Sequence, residues 1–73
     1  MLQTKLGQRI AALRKKQNFT QEALAEAIPC SVEFISLVER GVNAPSVAGL
    51  QKFADALGVE VRDLFTFTEG KER

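Results

Sequence analysis

The side chains best equipped for chemistry in this chain are its charged ones, and they are unevenly spread. Lys5, Arg9, Arg14, Lys15 and Lys16 fall within residues 1–19 with no acid among them, whereas residues 20–73 carry five bases against nine acids, so a net charge of +1 conceals a basic beginning. Cations at that density attract an anionic polymer; the same run is equally a solvated helix face. Catalysis finds no comparable set. The chain has no histidine, the side chain most often used to move protons near neutral pH. Glu22 and Glu26, four residues apart, read as a solvated pair. Cys30 is alone, which excludes an internal disulfide and, without histidine, a zinc site. Gly7, Gly41, Gly49, Gly58 and Gly70 make no phosphate-cradling loop. We expect no enzyme, no metal and no cofactor, and read Cys30 as a packed thiol in preference to a redox sensor.

Apolar spacing supplies the scaffold for those cations, and it is helical. Leu6, Ile10 and Leu13, then Gln17, share one face of a first helix over residues 4–17. Thr20 caps a second, whose apolar side is Leu24, Ala25 and Ile28 and which stops at Pro29. Ser31 caps a third that runs to Arg40, before Gly41 at a left-handed position. A fourth starts near Ser46 and carries Val47, Leu50, Phe53, Ala54 and Leu57 to Gly58. Val59 to Phe65 reads as a short fifth. No period-two alternation, hairpin turn or internal repeat competes with this pattern. The expected fold is all-α, a compact bundle of five non-parallel helices.

With 73 residues, 45% hydrophobic and 26% charged, the chain is expected to be one globular domain, 1–73, with its core in 4–65 and a tail over 66–73. A domain this small buries only about 60% of the surface its unfolded chain exposes, so a partner chain is expected. No apolar run approaches the ~20 residues of a membrane span, and Met1 to Ile10 lacks the apolar centre of a secretion signal. The expected location is the cytoplasm, with no membrane partner.

Two short helices joined by about three residues, Thr20–Ile28 and Ser31–Arg40, form a helix-turn-helix arrangement, in which the first braces the second against a DNA major groove. At about 100° per residue, Phe34, Ile35, Val38 and Glu39 share the core side of the third helix. Val32, Glu33, Ser36 and Leu37 share the outer side.

These residues carry a resemblance. Leu13-Arg14, Thr20-Gln21-Glu22 with Leu24-Ala25, Ile35-Ser36, Glu39-Arg40-Gly41, Pro45-Ser46 and Ala56-Leu57-Gly58-Val59 together resemble the Cro/phage-repressor type of helix-turn-helix domain, the lambda-repressor-like fold, over roughly residues 6–65. The chain is also similar in size to the controller proteins of restriction–modification systems. The resemblance implies a transcriptional regulator that binds double-stranded DNA as a homodimer on a two-fold operator. It implies a structural ion pair between Arg14 and Glu39. Phosphate contacts follow for Gln21, Arg40, Val42 and Asn43; Lys15 and Lys16 add long-range attraction or merely solubility.

The outer side of the third helix departs from the usual pattern, because Val32, Glu33, Ser36 and Leu37 include no side chain that grips guanine or adenine with two hydrogen bonds. Glu33 can accept from cytosine N4, Val32 and Leu37 can meet thymine methyl groups, and Ser36 can bond to what lies opposite. Direct readout is expected to be weak, with spacing and DNA shape making up the difference. Pro29 stands where the family usually has glycine, so the turn is expected to take another shape. Leu64, Phe65 and Phe67 are the expected dimer surface; Leu64 and Phe65 equally suit the monomer core. A second reading keeps the fold but makes it a protein–protein module contacted through Val32, Leu37 and Phe67.

Overall fold

A computed structural model describes residues 1–67 of the chain, and the expected tail beyond Phe67 lies outside the described residues. Four α-helices follow in order: α1, Leu2–Lys16; α2, Gln21–Ala27; α3, Val32–Glu39; and α4, Val47–Leu57. A 3-10 turn over Val61–Phe65 stands where the sequence suggested a fifth helix. Its carbonyls are used at i+3: Asp63 N–H donates to Glu60 O at 2.9 Å and Thr66 N–H to Asp63 O at 3.3 Å. Glu60 and Asp63 cap its start reciprocally. Five residues are too few for the apolar spacing to distinguish three residues per turn from 3.6.

Three helix starts are fixed by hydroxyls. Thr20, Ser31 and Ser46 are extended at the N-cap, and each accepts a 3.0 Å hydrogen bond from the backbone N–H three residues on. The core drawn together by these helices is Leu6, Ile10, Leu13, Leu24, Ala25, Ile28, Ile35, Val38, Phe53, Ala54, Leu57 and Leu64. α1 is the spine, in contact with α3, α4 and the 3-10 turn, while α2 packs on α3.

Leu64 sits at the bottom of this core with no exposed surface. It therefore cannot serve as dimer surface, and the alternative role of closing the monomer is the one it fills. The α2–α3 turn also differs from the usual pattern. The Ile28–Pro29 peptide bond is cis, and no residue of the turn has a positive φ. Cys30 N–H closes the turn by donating to Ala25 O at 2.7 Å.

A candidate nucleic-acid interface

α3 is held from behind by one carboxylate. Glu39, at its last turn, accepts from Arg14 Nε at 2.6 Å and Nη2 at 3.1 Å, and from Gln21 Nε2 at 3.0 Å. The third arm of the guanidinium, Nη1, donates to Phe19 O at 2.8 Å. Both side chains are nearly out of solvent, at 11% and 7% exposure. The two-pronged pair thus ties α1, the α1–α2 loop, the start of α2 and the end of α3 into one unit, with the shared geometry that makes arginine–carboxylate pairs directional.

Gly7 provides the second anchor. A Cβ at this position would lie 2.7 Å from Glu39 O and against Val38 O, so the absence of a side chain is what lets α1 touch the end of α3. Gly41 follows with φ +79°, ending α3 where a side chain would be strained.

Held in this way, α3 turns two different sides. Ile35 and Val38 are buried, and Phe34 packs its ring 6.4 Å from that of Phe53. Val32 and Glu33 are exposed, and Ser36 and Leu37 are half-exposed. All four of the expected base-reading positions therefore reach solvent on the outer side. Arg40, the C-cap, lies along the same side, its Nε 3.3 Å from Ser36 Oγ.

The expected phosphate contacts are less uniform. Gln21 stands at the first position of α2 with its side-chain N–H committed to Glu39; the backbone N–H groups of that helix start are what it can offer an anion. Val42 and Asn43 both donate their backbone N–H to Leu37 O, at 2.9 and 3.3 Å. Val42 is left with no donor and a side chain 57% exposed, so its expected phosphate hydrogen bond has no group to make it. Asn43 keeps an exposed side-chain amide.

The basic run also divides. Arg14 is in the ion pair, Arg9 Nε donates to Asp63 O at 2.9 Å, and Lys5 Nζ lies 6.0 Å from the Phe67 ring centre. Lys15 and Lys16 alone of the five are exposed, in the last turn of α1 where the helix dipole favours them. Phe67 stacks edge-on against Phe65 at 6.3 Å. Phe65 is 36% exposed and borders an open groove of about 380 Å³ with Leu2, Leu6, Pro45 and Leu50. Cys30 is half-buried beside the core, and that burial pushes its thiol pKa up.

A family model described as Helix-turn-helix matches residues 10–64. The chain belongs to the helix-turn-helix family. Among its relatives, an uncharacterized HTH-type transcriptional regulator, YazB of Bacillus subtilis, is 41% identical over 58 residues, 80% of this chain and 84% of YazB. Among solved structures, the restriction–modification controller protein C.AhdI from Aeromonas hydrophila superposes with a TM-score of 0.83 at 37% identity, covering 85% of this chain and 94% of that one. SinR, a master regulator for biofilm formation, was solved in complex with DNA; it superposes with a TM-score of 0.76 at 33% identity over 81% of this chain and 95% of SinR.

Sequence reasoning missed three of the contacts that build this helix-turn-helix face. Nothing in the pattern announces that Gly7 meets α3, that Gln21 joins the Arg14–Glu39 pair, or that Arg40 reaches Ser36. For the last of these, helical spacing held a usable cue, since residues 36 and 40 are one turn apart.

Proposed function

We propose that the chain is a sequence-specific, double-stranded-DNA-binding transcriptional regulator of the cytoplasm, acting as a homodimer on a two-fold operator. The observation that carries this reading is the exposed Val32–Ser36 side of α3, propped from behind by Glu39 and Gly7. A helix with its side chains is about 10–12 Å across, and the major groove is about 12 Å wide, so α3 can lie in it. The side presented is the one a recognition helix needs. The regulators among its relatives and the DNA complex of SinR support the same reading.

In that pose Lys15, Lys16, Asn43 and the N–H groups at the start of α2 meet phosphates, while Val32, Glu33, Ser36 and Leu37 face base edges. Two copies supply two recognition helices, with half-sites about 34 Å apart. The groove bordered by Phe65, with Phe67 beside it, is the apolar surface through which the copies meet.

Duplex binding measured against salt tests the assignment. A regulator touching several phosphates loses affinity with a log–log slope of about −0.9 per phosphate neutralised. Absence of any retained duplex at about 50 mM salt, alongside capture of a protein ligand through Val32 and Leu37, would replace it with the protein–protein reading.

A further inference from the structure

We infer that Arg40 reads a guanine in the major groove and that Ser36 positions it to do so. The inference rests on the DNA-binding reading above and supplies the two-bond base reader that Val32, Glu33, Ser36 and Leu37 lack. Val32, Ser36 and Arg40 follow one another at intervals of four along the same ridge of α3. Arg40 continues the helix as its C-cap, with φ −84° and ψ −3° and its N–H donating to Ser36 O at 3.0 Å. Side chains on a helix lean toward its N-terminus, and here the lean is fixed by a hydrogen bond, Arg40 Nε to Ser36 Oγ at 3.3 Å. The guanidinium is thereby laid back along the outer side of α3, whereas the family resemblance would send it to phosphate.

The chemistry of the free end fits the base. Among the described residues no carboxylate pairs with Arg40: Glu39, its neighbour, is taken by Arg14 and Gln21, and Glu60 pairs with Arg62. With Nε used by Ser36, the Nη1 and Nη2 edge remains as a planar two-pronged donor. That fork matches the O6 and N7 acceptors of guanine, which no other base presents together. A lysine ammonium can also donate to guanine O6 and N7, but the planar fork alone holds two parallel donors in a fixed geometry.

The test compares the full chain with its Arg40→Lys, Arg40→Ala and Ser36→Ala variants. Duplexes are first selected from a random library with the unaltered protein. Affinities are then measured for the selected duplex and all its single base-pair substitutions across a salt series. The expected result is one G·C pair per half-site whose replacement by A·T weakens the unaltered protein about tenfold or more. Arg40→Ala abolishes that preference, Arg40→Lys weakens it with little change in salt slope, and Ser36→Ala reduces it at the same position only. Melting temperatures close to that of the unaltered chain confirm that these substitutions leave the fold intact. Retention of every base preference in Arg40→Ala overturns the inference. So does an equal loss for all duplexes in Arg40→Ala with a slope shallower by about 0.9, the mark of a phosphate contact. Failure of the unaltered protein to bind any duplex overturns the DNA-binding reading itself, and the role of Arg40 with it.

Discussion

Glu39 and Glu33 show how one side-chain type takes opposite roles on one short helix. Glu39 faces three N–H donors from Arg14 and Gln21 in a nearly closed setting, so its charge is matched and its work is to hold helices together. Replacing one partner of such a pair leaves the other charge buried and unmatched, at about 3–5 kcal/mol. Glu39→Arg would set two cations face to face, and its melting temperature should fall by about 12 °C or more, at about 4–8 °C per kcal/mol for a domain of this size. Unchanged melting by circular dichroism would remove Glu39 from the architecture. Glu33 faces solvent, where its oxygens can accept from cytosine N4 but can donate nothing. Glu33→Gln adds a donor, so the base preferred at one position per half-site should change while the fold melts as before. Identical preferences in a selection from random duplexes would exclude Glu33 from base reading. Cys30 obeys the same rule of surroundings: burial raises its thiol pKa, which lowers the thiolate fraction at neutral pH. Alkylation by iodoacetamide at pH 7.5 should be slower than that of glutathione and should keep rising with pH after the free thiol has levelled off. A rate equal to that of the free thiol would contradict the packed setting.

At the level of elements, the docking of α1 against α3 depends on a missing side chain. Gly7→Ala improves helix propensity by up to about 1 kcal/mol, yet its methyl would meet the Val38 and Glu39 carbonyls. Those atoms belong to the backbone of α3 and cannot swing aside, so overpacking of about 1–3 kcal/mol opposes the gain. The variant should melt lower, and its duplex affinity should fall because the groove-facing helix is displaced. A higher melting temperature with full affinity would show that α1 and α3 are not in tight register. This contact also marks where sequence reasoning stops. Stripes such as Leu6, Ile10 and Leu13, and caps such as Thr20, Ser31 and Ser46, are local patterns, so the four helices and the two sides of α3 were legible. Gly7 gives no local sign of the element it meets. Arg9 with Asp63 O and Gln17 with Leu57 O join residues 54 and 40 positions apart, and such pairings exist only once the helices have docked. Arg14 with Glu39, 25 positions apart, was legible only through family resemblance.

The dimensions of the whole molecule bear on how many copies one operator needs. With principal extents of 32 × 23 × 18 Å and a single outward recognition helix, one copy reaches one stretch of major groove. Base contacts from so short a helix, several of them apolar, give modest discrimination at about 1–3 kcal/mol for each good bidentate pair. A second copy held at a fixed distance doubles the number of positions read and adds geometry as a criterion, because both helices must find their half-sites on the same face of the duplex. A homodimer should therefore bind a selected operator far more tightly than one in which about 5 bp are inserted between the half-sites. That insertion turns the second site by about half of the 10–10.5 bp helical repeat. Phe65→Glu, which places a charge at the rim of the apolar groove, should bring the intact operator down to the affinity of the disrupted one while leaving the monomer folded. Equal affinity of the unaltered protein for both spacings, measured at one salt concentration, would mean that each copy binds alone, and the Phe65 groove would then need a different occupant.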